Sequence, residues 1–171
     1  MLRSRLFARL VLAGALLAPA FAWAAPTIIY ITRHAEKNTD GKDPELTAPG
    51  QARARTLARL LGKTGISAVF STSTRRTMQT AQPLATQVGV EVQAYDPAKT
   101  GAMIDKVKAH SGPVLVVGHS NTVPELVKLF GGGVVAPIAD DEFDRLYQLI
   151  VANDGSVSTV LLTTVAAPLN P

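Results

Sequence analysis

The chain has 171 residues, with 17 Lys plus Arg against 13 Asp plus Glu, three His and no Cys. A chain without cysteine has no disulfides, thiolate metal sites, thiol nucleophiles or iron–sulfur clusters. Three imidazoles (His34, His110 and His119) do not furnish a His-rich metal centre. The N-terminal block reads as an export signal over residues 1–24. Arg3, Arg5 and Arg9 precede an apolar run from Leu10 to Ala18, and Ala22-Trp23-Ala24 forms a cleavage pattern. The alternative is an uncleaved anchor, but the apolar run falls short of the roughly 20 residues that span a bilayer. Removing 24 of 171 residues leaves 147 in a single domain, 25–171, with 14 basic residues facing 13 acidic ones. So even a balance argues against nucleic acid as a partner. Export predicts a periplasmic or secreted protein with no transmembrane segment after cleavage.

Along the chain, Thr27 to Thr32 is apolar and β-branched, as a strand buried on both faces should be. The charged segment from Arg33 to Glu45 reads as a long loop. Pro49-Gly50 opens a helix whose Ala54, Leu57, Ala58 and Leu61 fall at i, i+3, i+4 and i+7. Arg53, Arg55 and Arg59 lie off that stripe, on what should be a solvated face. A short strand is expected near Ala68 to Phe70. Ser71 to Thr74 then offers N-cap candidates for a helix reaching about Val88, which Pro83 should interrupt or kink. Val90 to Ala94 reads as a strand and Pro97 to His110 as a helix. A second buried strand, Pro113 to Val117, runs into Gly118-His119-Ser120-Asn121. The next helix takes Pro124 in its first turn and ends near Phe130. Leu146 to Ala152 and Val157 to Val165 flank Asn153-Asp154-Gly155, a hairpin signal. Alternating strands and helices predict an α/β three-layer sandwich, a mostly parallel central sheet with helices on both faces.

In such a sheet, ligands bind beyond the carboxyl ends of the strands. Three of those ends carry Arg33-His34, the Ser71 to Arg76 segment, and Gly118-His119-Ser120-Asn121. Two His and two Arg on one rim are costly to bury without partners, so a shared anion of phosphate size is the economical explanation. Helix N-termini after Thr74 and after Asn121 would point backbone N–H groups at the same place. Other patterns fail. Gly118 to Thr122 lacks the last Gly of a nucleophile elbow, and no His follows His119. Gly62-Lys63-Thr64 lacks the first Gly of a P-loop, and His34-Ala35-Glu36 lacks the two Cys of a zinc deaminase.

The same residues resemble the histidine phosphatase superfamily, the phosphoglycerate mutase-like fold, in its small single-domain branch. Arg33-His34-Ala35 matches the family's Arg-His-Gly, with Ala in place of Gly, and Leu46-Thr47-Ala48-Pro49-Gly50 matches its Leu-Thr-x-x-Gly. Ser71 to Arg75, through Thr80-Ala81, matches its Ser-x-x-x-Arg-x-x-x-Thr-Ala, and Gly118-His119-Ser120 its second His turn. The resemblance implies a phosphatase working through a covalent phosphohistidine on His34, with no metal or other cofactor. Arg33, Arg75 and His119 would hold the phosphoryl oxygens, with Asn38 and Asn121 as further donors. A carboxylic acid must protonate the leaving oxygen. Asp96 is the first candidate, lying roughly where the family's acid does, and Glu36 and Glu125 follow. Asp96 has a second reading as a helix cap ahead of Pro97. The substrates implied are phosphorylated small molecules, envelope glycolipids or phosphoproteins. Alternatives are a phosphomutase of the same fold and a non-catalytic phosphate-binding protein.

Overall fold

A computed structural model describes residues 27–165. The expected leader and its Ala22-Trp23-Ala24 site lie outside the described residues. Six strands and four helices follow one another as β1 (Thr27–Arg33), α1 (Ala48–Leu61), β2 (Ala68–Thr72), α2 (Arg75–Val88), β3 (Val92–Tyr95), α3 (Thr100–Ala109), β4 (Val114–Gly118), α4 (Val123–Leu129), β5 (Arg145–Val151) and β6 (Val157–Thr163). One sheet takes the order β3-β2-β4-β1-β5-β6. The first four strands of that order pair in parallel, while β5 and β6 pair antiparallel. Among the described residues no helix is long and apolar enough to cross a membrane.

Strand alternation divides the core in two. Tyr30, Val69, Leu115 and Val117 pack on one face with Leu57, Ala58 and Leu61 of α1 and Ala81, Leu84 and Ala85 of α2. Ile29, Ile31, Phe70, Val114 and Val116 face the other way, against Met103, Ile104 and Val107 of α3 and Val123, Leu126 and Val127 of α4. The layers are those expected from the sequence. Because β1 leads to α1 on one face and the adjacent β4 leads to α4 on the other, a crevice opens between their carboxyl ends.

The details differ from expectation at four places. β2 runs on to Thr72, so Ser71 and Thr72 are ladder residues and Thr74 is the cap of α2. α2 passes through Pro83 unbroken. α3 begins at Thr100 rather than at Pro97, because Asp96 Oδ1 accepts a bond from the Ala98 amide (2.9 Å) and folds the chain into a turn first. The loop after β1 is also less open than its composition suggests. Lys37 bridges Leu46 antiparallel, and the Asn38 amide donates to Glu45 O at 2.9 Å.

That loop is where Gly50 matters. Thr47 caps α1, its Oγ1 accepting from the Gly50 amide at 3.2 Å, and its own amide donates to Glu36 O at 2.9 Å. A Cβ on Gly50 would stand 2.1 Å from that same Glu36 carbonyl oxygen. The close approach of α1 to the chain just beyond His34 needs glycine for space, and ordinary helical backbone suffices otherwise.

Candidate functional site

The site is built on two neighbouring strand ends. Arg33 of β1 lies opposite Gly118 of β4, and the His34 amide donates to Gly118 O at 3.0 Å, extending the ladder by one residue. His34 and His119 therefore emerge side by side, with ring centroids 5.5 Å apart and planes at 68°. The His34 ring is buried, and its Nδ1 lies 2.8 Å from Ala35 O. A carbonyl can only accept, so Nδ1 carries the proton and Nε2 keeps a lone pair. Thr80 of α2 steadies this segment, accepting from the Ala35 amide at 2.9 Å while donating to Arg76 O at 2.8 Å.

His119 sits between Thr72, whose Oγ1 is 3.0 Å from its Nε2, and Arg76, whose guanidinium approaches its Nδ1 at 3.4 Å. Arg33 donates from one terminal nitrogen to Ala139 O (2.7 Å) and Glu142 O (2.8 Å) and lies 4.2 Å over the Phe143 ring. The Nε atoms of both Arg33 and Arg76 are buried and have no hydrogen-bond partner among the described residues. An unpartnered buried donor is costly, and doubly so on a cation. An anion between the two guanidiniums would satisfy both.

The residues named from sequence thus separate. Arg33, His34 and His119 come together. Arg75 does not. Its side chain is exposed and pairs with Glu45, while Arg76 takes the place beside His119. Counting four residues back from Thr80-Ala81 arrives at Arg76, and that spacing was the signal to follow. Asp96 follows β3 at the sheet edge. At about 4.8 Å per strand, β3 is about 14 Å from β1, and the Asp96 carboxylate caps its own turn. Glu36 is held by Arg53 through bonds of 2.6 and 3.0 Å, so Arg53 is not on a solvated face. Burial is the largest single effect and pushes the Glu36 carboxyl up, but the bonds and charge of Arg53, with a backbone hydrogen bond, together hold it below the ordinary range. Glu125 is exposed on α4. Asn38 and Asn121 are also exposed, and among the described residues no hydrogen bond joins either to the imidazoles. The helix N-termini are otherwise engaged. The Arg75 amide donates to Asp43 at 3.0 Å, and the His119 amide to Thr122 Oγ1 at 2.9 Å. Sequence reasoning passed over Thr72 and the whole loop that grips Arg33.

The histidine phosphatase superfamily (branch 1) model matches residues 29–97, which hold the first imidazole and Arg76. Over that stretch the chain is similar to the histidine phosphatase superfamily. Its fold is that of the protein histidine phosphatase SixA, solved with tungstate (19% identity, 80% of this chain and 96% of that one, TM-score 0.65). It is likewise that of a mycobacterial glucosyl-3-phosphoglycerate phosphatase solved with inorganic phosphate (17% identity, 84% and 99%, TM-score 0.61). "Mycobacterial hydrolase 1" superposes with a TM-score of 0.64 at 15% identity, over 82% of this chain and 99% of that one. No curated protein sequence matches.

In this histidine phosphatase fold the imidazoles are kept neutral. Burial is the main cause that depresses His34 to about 3; its bond to Ala35 opposes this as the next largest effect, and the neighbouring Arg33, His119 and Arg76 add to the depression. Burial, Arg76 and Arg33 depress His119 to about 4. The sign for stability follows. Below the ordinary imidazole value of 6.5, the unfolded chain binds protons that the folded chain refuses, so stability falls as pH falls from 6.5 towards these values. The urea midpoint of the wild type should drop between about pH 7 and pH 5, and His34→Gln should flatten that drop. Carboxylates titrate mostly below this window. An unchanged midpoint over the window would mean the imidazoles are not depressed.

Proposed function

We propose that this chain is an exported phosphatase that hydrolyses phosphate monoesters or phosphohistidine through a covalent intermediate on His34. The observation that carries the reading is the Nδ1 bond to Ala35 O, which leaves Nε2 as a neutral nucleophile beside Arg33, Arg76 and His119. In the first step Nε2 forms a bond to phosphorus as the bond to the leaving oxygen or nitrogen breaks. In the second, water attacks the phosphohistidine and His34 departs with its lone pair restored. Arg33 and Arg76 hold the equatorial oxygens, and their charge and N–H groups favour the transition state, while the neutral His119 ring lies beside the nucleophile and positions Arg76. Brief exposure to substrate labelled in the phosphoryl group should place label on His34, in a bond stable to alkali and broken by acid. Label should form in Arg75→Ala and nearly vanish in Arg76→Ala. Label on a carboxylate or on Ser120 would refute the mechanism, and tight tungstate binding without turnover would favour the binding-protein alternative.

The leaving group needs a proton donor. Glu36 is tied to Arg53, and Asp96 caps a turn beside an edge strand. Asp140 stands next to the Ala139 carbonyl that holds Arg33, and its charge acts on that guanidinium. We therefore assign the acid to Asp140 ahead of Asp96. Removing a general acid costs on the order of 10² to 10⁴ in rate, and most where the leaving group is poor. Asp140→Asn should lose far more activity on an alkyl phosphate than on an activated aryl phosphate, and Asp96→Asn should lose little on either. The reverse pattern returns the role to Asp96.

Export rests on residues 1–24 alone and restricts the substrates to envelope or extracellular phosphates. Protein recovered from the periplasm or medium should begin at Ala25 by mass. Retention of residues 1–24 in a membrane fraction would instead identify an anchor.

A further inference from the structure

The loop between α4 and β5 has almost no regular structure, yet it touches both halves of the site. Its Ala139 and Glu142 carbonyls accept from Arg33 at 2.7 and 2.8 Å, and its Phe143 ring lies 4.2 Å under that guanidinium and 5.9 Å from the His34 ring. A guanidinium has five N–H groups in a fixed plane. With one terminal nitrogen held by the two carbonyls and one face on Phe143, the direction of the remaining edge is set by the loop.

The buried Ile138 ties the middle of the loop to the core, and one ion pair holds the end that grips Arg33. The Glu142 carboxylate accepts from Arg145 Nε (2.5 Å) and from its terminal nitrogen (2.8 Å), and also from the Ala139 amide (3.2 Å). The Glu142 amide closes the same turn on Ala139 O at 3.1 Å. Arg145 reaches back to Ala136 O (2.9 Å) and across to the Tyr147 hydroxyl (3.1 Å). Arg145 itself is the first residue of β5, and Thr32 Oγ1, beside Arg33 on β1, donates to its carbonyl at 2.9 Å. The pair therefore anchors a loop with no ladder of its own to the strand next to β1.

We propose that Glu142 and Arg145 are positioning residues for Arg33: they touch no phosphate, and they set the affinity of the site by fixing the two carbonyls and the ring that orient its guanidinium. The inference rests on the reading of Arg33 as a phosphate ligand. A surface ion pair with no such duty contributes little to stability. At metal sites, partners that orient a ligand from behind typically change affinity by about 10- to 100-fold, and an effect of that scale is expected for a guanidinium held in the same way.

The test uses tungstate as the probe on the full mature chain, with affinity measured by calorimetry beside turnover and urea unfolding. Glu142→Gln and Arg145→Gln should each weaken tungstate about tenfold or more and raise KM more than they lower kcat, with little change in the urea midpoint. Arg145→Lys, which keeps the charge but not the fork, should fall between. In an Arg33→Ala background, Arg145→Gln should have no further effect on tungstate affinity, which a general structural role would not produce. Unaltered tungstate affinity in both Gln variants, or losses that multiply with Arg33→Ala, would overturn the proposal alone. Failure of the wild type to bind tungstate would overturn the phosphate reading and this inference with it.

Discussion

The bond from the His34 amide to the Gly118 carbonyl, 3.0 Å long, carries the β1–β4 ladder one residue beyond its last Cα pair. Parallel ladders advance evenly, so this one bond sets His34 and His119 abreast at adjacent strand ends. It also brings the chain to a fork, since β1 then turns to one face of the sheet and β4 to the other. The rings need no loop to find each other. The sheet does that, and a sheet buried on both faces is the least deformable part of the molecule.

Everything else at the site manages the charge this arrangement creates. Two guanidiniums and two imidazoles share a partly dry corner, and the imidazoles respond by staying neutral. That is what a nucleophile requires, and it also costs stability below neutral pH. The arginines cannot lose their protons in this way. They are shared out instead, Arg33 to two carbonyls and an aromatic face, Arg76 to Asp43 (3.6 Å) and the ring of His119. Their Nε atoms remain, both buried and both unpartnered among the described residues, and this corner is where an anion would fit.

How much of this was legible in the sequence depends on which atoms do the work. Periodicity told the two core strands and the α1 stripe correctly, because burial of side chains is what periodicity encodes. His34 and His119 stood out because imidazoles at strand ends are chemically conspicuous. Arg75 and Arg76 are identical in type and adjacent, so only the helical phase counted from Thr80 separates the exposed one from the buried one. Glu36 was read as a free acid because its partner Arg53 is 17 residues away on a helix face that looked solvated. The grip on Arg33 was invisible for a deeper reason. It is made by backbone carbonyls, which every residue possesses and no composition reveals.

The same distinction explains why motif residues are not all chemical. Gly50 admits the Glu36 carbonyl where any Cβ would collide with it at 2.1 Å. Thr80 spends both functions of its hydroxyl on backbone, tying the chain after His34 to the α2 turn that carries Arg76. Neither group faces the imidazoles through a bond of its own. Yet each fixes a distance at the site, the first between α1 and the chain just after His34, the second between that chain and α2. A site assembled from three strand ends and one helix has no covalent continuity, so its tolerances have to be kept by contacts like these. Their spacing can persist while the surrounding sequence varies, since Gly50 contributes only space and Thr80 a single hydroxyl.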